Sequence, residues 1–156
     1  MIRGVIHYTG SPDAKAKALR GAVKAAMEET GQFWWQQILP VHFTTEGEKR
    51  YGYQARTKAY TLRKTRKFGH RNPLVWSGAL KRDVTQRARV VGSSKGVKVH
   101  MQGPRYLWAY RKDRKASDKA AEIVAIVQRE VDSLAGVMGG RLERELTAVR
   151  TPETRS

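Results

Sequence analysis

The chain has no cysteine, which excludes a disulfide framework, a thiolate metal site and a cysteine nucleophile. No stretch approaches roughly 18 consecutive apolar residues, the length a membrane-crossing helix needs. The opening MIRGVIHYTGSPD lacks the apolar run of a signal peptide. No membrane contact is expected, and synthesis and use in the cytosol, or in a particle assembled there, fit best. The four histidines, His7, His42, His70 and His100, are scattered without ligand spacing. A Gly69-His70-Arg71-Asn72 phrase hints at a metal nuclease, yet the stretch around it supplies no carboxylate to complete a site. No phosphate-cradling glycine pattern joins a strand to a helix, and Trp76-Ser77-Gly78 is not a nucleophile elbow. The expectation is a protein that is not an enzyme and carries no metal or cofactor.

Acid is the other scarcity. From Lys49 to Arg82 there are eleven Lys or Arg and no Asp or Glu, with Tyr51, Tyr53, Tyr60, Phe68 and Trp76 set among the cations. Residues 1–48 are neutral, with five basic and five acidic side chains; residues 120–156 hold five basic and six acidic. Residues 49–119 hold twenty-one basic and three acidic, so the middle carries the whole of the chain's net +17. Self-repulsion of that size is tolerated where a polyanion or an acidic protein surface lies opposite.

What is present fits one domain, residues 1–150, with a basic arm over 44–73 and a flexible tail at 151–156. At 156 residues the chain is long enough to bury a core. No internal repeat is visible. Ile2 to Tyr8 reads as a short strand. Ser11-Pro12-Asp13 opens a helix, with a hydroxyl cap, a proline at the first position and a carboxylate at the positive end. Leu19, Val23, Ala26, Met27, Thr30, Trp34 and Ile38 continue it as one stripe until Pro40, with Gly31 a point of bending. Phe33, Trp34 and Trp35 are adjacent, and the expectation is that at least one of them meets another subunit or a second layer.

Val41-His42-Phe43 reads as a brief strand and Glu46-Gly47-Glu48 as a turn. Residues 56–68 are weakened as a helix by Thr57, Thr61 and Thr65, so most of 41–73 reads as an extended arm or long loop. Ser77 caps a short helix over Gly78 to Val84. A hairpin follows, Gln86 to Val91 and Val97 to Met101, turning at Gly92 to Gly96. Tyr106 to Tyr110 is an aromatic run leading into a second basic loop, Arg111-Lys112-Asp113-Arg114-Lys115. Glu122 to Val127 is ambiguous, and its β-branched pairs tilt it to strand. From Gln128 the stripe Val131, Leu134, Val137, Met138, Leu142, Leu146 and Val149 is helical, interrupted at Gly139-Gly140, where a bend or close packing is expected. The sum is an α+β fold, two long helices on a small antiparallel sheet.

Three phrases carry a resemblance: HFTTEGEKRYGYQARTKAY (His42 to Tyr60), PLVWSGALKR (Pro73 to Arg82) and the closing AEIVAIVQREVDSLAGVMGGRLEREL. With a long helix before them, they resemble the small virion-morphogenesis proteins of tailed bacteriophages: the head–tail joining, neck and tail-completion proteins, often labelled minor tail proteins. The likeness spans roughly residues 12–147. It implies a structural protein in a sixfold or twelvefold homo-oligomer ring within the virion, contacting portal, connector or tail-terminator proteins, with DNA passing in the channel. It transfers no catalytic residue.

The residues expected to grip a partner are Arg56, Lys58, Tyr60, Arg63, Lys64, Arg66, Lys67 and Arg71, with Arg111, Lys112, Arg114 and Lys115 in the second loop. Tyr51, Tyr53 and Trp76 are expected to fix the arm to the body. The alternative is non-specific nucleic-acid binding through residues 49–82, with cations on phosphates and tyrosines stacking or packing on sugars.

Overall fold

A computed structural model describes residues 12–53, 55–103 and 119–150. The expected strand at Ile2 to Tyr8, the aromatic run Tyr106 to Tyr110, the second basic loop and the tail at 151–156 lie outside those residues.

Helix α1, Pro12–Phe33, starts where proline suits a first turn and Asp13 meets the positive end of the helix dipole. Ala22 and Ala26 are on its buried stripe, which Trp34 continues just past its end. The chain does not stop at Pro40. A π-helical turn, Trp34–Ile38, closes with the Leu39 amide on the Trp34 carbonyl, and a 3-10 turn, Leu39–Phe43, follows. Proline sits in the first turn of that 3-10 segment, where its missing N–H costs nothing. The wider turn changes the angular spacing of consecutive side chains. Trp34 is buried, while Phe33 and Trp35 pack against the same core, and the Trp35 indole donates to the Val84 carbonyl (3.1 Å). All three adjacent aromatics thus pack on one core of this chain, Phe33 and Trp35 only partly buried. The brief strand expected at Val41 to Phe43 is replaced by the 3-10 turn.

Helix α2, Thr45–Arg50, takes the place of the expected turn. Thr44 caps it, its hydroxyl accepting from the Gly47 amide (3.2 Å). Gly47 is there because a Cβ would lie 2.2 Å from the Val41 carbonyl oxygen. Helix α3, Lys58–Phe68, corrects the extended arm. Its threonines are not a weakness. Thr57 is the cap, and the hydroxyls of Thr61 and Thr65 donate to carbonyls four residues back (3.2 and 3.0 Å). Gly69, at φ 70°, ends the helix in the left-handed conformation that glycine adopts without strain.

Helix α4, Ala79–Gln86, begins after Gly78 with no side-chain cap, so Ser77 does not have the expected role. Strands β1, Ala88–Ser93, and β2, Gly96–Met101, form a two-stranded antiparallel sheet with Val90 opposite Val99. Helix α5, Lys119–Val124, replaces the expected strand at 122–127. Helix α6, Gln128–Arg150, runs through Gly139 and Gly140, and a Cβ at either would meet nothing within 4 Å. Those glycines mark neither a break nor a close contact.

The architecture is α+β: α1 lies between the hairpin on one side and α6 on another. Gly31 makes the hairpin contact possible, since a Cβ there would stand 2.5 Å from a Val97 methyl and 2.7 Å from a Val90 methyl. Helices α1 and α6 run antiparallel: Leu134 packs at the Trp34 end, and Glu29 pairs with Arg141 (3.3 Å) and Arg144 (2.7 Å) further along. These pairs are exposed and contribute little. The core joins Trp34, Ile38, Leu39 and Phe43 to Val75, Leu80, Val84 and Ile123, so α4 and α5 close over the end of α1.

Candidate functional site

Two constellations define the middle of the chain. The first is a buried polar staple. His42 is fully buried, and its ring stacks on Tyr51 with centroids 3.8 Å apart and an 8° interplanar angle. Its Nδ1 faces the Tyr53 hydroxyl (2.5 Å) and the Glu122 carbonyl oxygen (3.0 Å), while Tyr53 also donates to that carbonyl (3.1 Å). A carbonyl can only accept, so the proton belongs on Nδ1. Nε2 is then a bare acceptor, buried with no hydrogen-bond partner.

Beside it, Glu130 occupies the third position of α6. One carboxylate oxygen accepts from the Val127 amide (3.2 Å), half of a capping box. The other accepts from the Tyr51 hydroxyl (2.5 Å) and from Arg50 (3.3 Å). Arg50 also pairs with Glu46 within α2, and Arg56 bridges to Glu122 (2.6 Å). Burial pushes the His42 imidazole below its ordinary pKa, and it pushes both tyrosine hydroxyls up, helped at Tyr51 by the Glu130 carboxylate. The cluster has closed tyrosines and a neutral histidine at pH 7. It is chemistry for joining residues 42–56 to 122–130.

The second constellation is α3 folded on its own return. Trp76 stands against Tyr60 (centroids 5.3 Å) and edge-on to Phe68 (5.1 Å), with the Arg63 guanidinium 5.2 Å from its centroid. Lys64 is buried and donates to the Asn72 carbonyl oxygen, tying α3 to the strand of chain that comes back. Burial lowers its pKa. Pro73 and Val75 are buried and Leu74 packs on the core, at a left-handed φ of 55°. The return thus puts Val75 into the body and Trp76 onto α3. Apart from this return, no other helix or strand among the described residues packs closely on α3. It projects.

The expected partner-gripping residues therefore divide. Arg56 is in the Glu122 ion pair, Tyr60 is against Trp76, and Lys64 is inside the knuckle. Lys58, Arg63, Arg66, Lys67 and Arg71 are exposed, with no ion pair among the described residues. Arg111, Lys112, Arg114 and Lys115 lie outside the described residues. Tyr51 and Tyr53 tie the base of the arm to residues 122–130, whereas Trp76, expected to do the same, packs on α3 itself. The sequence reading missed Glu122 and Glu130, which sit some 70 to 80 positions from the tyrosines they hold. Its one visible signal was a glutamate at the third position of a helix with no acid elsewhere in the first turn.

The outer face of the hairpin adds Arg87, Arg89, Lys98 and His100, all exposed, with Arg89 directly opposite His100. Among the described residues, no group of three His, Asp or Glu is placed to hold a metal ion, and no helix is long and apolar enough to cross a membrane.

No family model, curated protein or solved structure matches this chain.

Proposed function

We propose that this is a structural virion protein of a tailed bacteriophage, acting at the head–tail junction or tail end by protein–protein contact. The observation that supports it most is α3: a projecting cationic helix, closed on itself by Trp76 and Lys64 and held to the body by a buried staple. Residues of the phage-like phrases supply that construction. His42, Thr44, Gly47, Tyr51 and Tyr53 build its base, and Pro73 to Trp76 its return. In this reading Lys58, Arg66 and Arg71 reach a neighbouring subunit, an adaptor ring or DNA in the channel.

The alternative, non-specific nucleic-acid binding, keeps the cations but loses the aromatics. Tyr51 and Tyr53 are engaged in the staple, and Tyr60 and Phe68 lie against Trp76. Bases would have few free rings to stack on.

The test is made on particles. Tails and joined virions, separated on a gradient and quantified by mass spectrometry, should contain this 17.7 kDa chain in a fixed ratio matching a sixfold or twelvefold ring. A chain found only outside particles overturns the proposal. A free monomer that shifts duplex DNA at about 0.15 M salt, and releases it steeply as salt rises, supports the alternative.

A further inference from the structure

The outward side of α3 is not uniformly charged. At 100° per residue, Tyr60, Lys64 and Phe68 face the return, which leaves Ala59, Leu62 and Arg66 at the centre of the opposite side. Lys58 flanks them on one edge and Arg63 on the other. Leu62 is 55 % exposed, the highest value among the described large hydrophobic residues. Ala59, Leu62, Arg63, Arg66 and Lys67 line one shallow depression. A single exposed leucine is ordinary. This one sits mid-face on a helix that, among the described residues, packs only on its own return, inside a ring of cations with no described acid paired to them.

Charge decides the class of occupant. A second copy would bring either like charge, from residues 49–119, or terminal segments of net charge 0 and −1, too little to match this face. A phosphate backbone would satisfy the cations and leave Leu62 with nothing apolar to meet. An acidic protein surface with an apolar centre satisfies both, which is how an amphipathic helix is read in a groove. Resting on the reading of α3 as a partner-facing helix, we infer that its outward face docks by Leu62 and Ala59 into an apolar groove rimmed by carboxylates on another protein, with Lys58, Arg63 and Arg66 pairing at the rim.

The experiment uses the full chain and three labelled probes followed by fluorescence anisotropy. One is a helical peptide with a leucine stripe flanked by glutamates. The second is the same peptide with serine for leucine at equal charge. The third is a short DNA duplex. The leucine peptide should bind at least about tenfold more tightly than the serine copy, the value of burying one leucine. Leu62→Ala should bring the two peptides to within about twofold and leave duplex binding unchanged, with the helical circular dichroism signal intact. Arg66→Gln should weaken both peptides alike and reduce the salt dependence. Equal binding of the two peptides, no binding of either, or a preference that survives Leu62→Ala overturns the inference. So does a duplex that outbinds the leucine peptide at raised salt. Incorporation into particles is measured separately, so a failure here with the chain still present in virions removes the apolar groove and leaves the virion reading standing.

Discussion

His42 holds its proton on Nδ1 and keeps Nε2 buried and bare, so protonation in the folded protein puts a charge where no water reaches. Its pKa is therefore lowered from 6.5, with burial the main cause and the Arg50 guanidinium adding to it, against the raising effect of the Glu122 carbonyl and Glu130. The unfolded chain then binds the extra proton at higher pH than the native one. Stability is complete above about pH 6.5, declines as pH falls through that value, and levels once pH is below the native value. Thermal melts at descending pH should show this decline, and His42→Gln should flatten part of it while lowering stability at neutral pH. Glu130 makes the larger single contribution. It is 5 % exposed and its partner Arg50 25 %. Glu130→Ala removes the helix cap, strands the Tyr51 hydroxyl and leaves Arg50 with Glu46 alone, at a cost of roughly 2–4 kcal/mol. Glu130→Gln has a single acceptor oxygen, enough for the cap, and turns an NH2 toward Arg50, so it should cost about 1–3 kcal/mol, less than alanine; urea unfolding of the pair distinguishes them.

Among the elements, α1 and α6 carry the same residue type in opposite circumstances. Glycine to alanine in a helix interior gains about 1 kcal/mol of propensity. At Gly139, with nothing within 4 Å of the new Cβ, that gain should appear almost whole. At Gly31 the Cβ meets two valine methyls at 2.5 and 2.7 Å. Overpacking of that kind costs about 1–3 kcal/mol, so Gly31→Ala should destabilise, and Val97→Ala in the same chain should recover part of the loss. Denaturant midpoints of the four proteins check the signs. The hairpin was legible because Val97, Val99 and Met101 alternate with Lys98 and His100, a period no helix produces. Helix α6 was legible from its stripe, although its glycines suggested a break that intrahelical bonding does not require. Helices α3 and α5 were not. Threonine and β-branched residues lower helix propensity by only tenths of a kcal/mol, and at α3 the Thr57 cap and the contacts of Tyr60, Lys64 and Phe68 with the return outweigh that. At α5, burial of Ile123 in the core outweighs the propensity of EIVAIV.

For the whole molecule, the charge asymmetry was readable from composition, but which cations face outward was not. Lys64 reads from the sequence as one of the partner-gripping cations, and the structure separates it from the exposed ones. Lys58→Glu, Arg66→Glu and Arg71→Glu together should leave the melting temperature nearly unchanged and remove the chain from assembled particles. Lys64→Glu should lower the melting temperature, because a carboxylate would face the Asn72 carbonyl from inside the knuckle. Differential scanning calorimetry beside particle fractionation separates a folding defect from an assembly defect. The staple's acidic half was illegible for a related reason: local spacing reveals neighbours within a turn or a strand pair, and Glu130 meets Tyr51 only through the tertiary fold.

That separation along the chain has a consequence for when the protein becomes competent. The ring and guanidinium that seat the projecting helix are specified early, but the carboxylate that locks them belongs to a residue made some eighty positions later. Closing so long a loop costs roughly 4 kcal/mol of chain entropy, and nothing can repay it until the last helix has left the ribosome. A nascent chain, or one truncated before Glu130, therefore lacks the carboxylate that locks the base of its cationic helix, and presents that helix in register only once α6 has joined it.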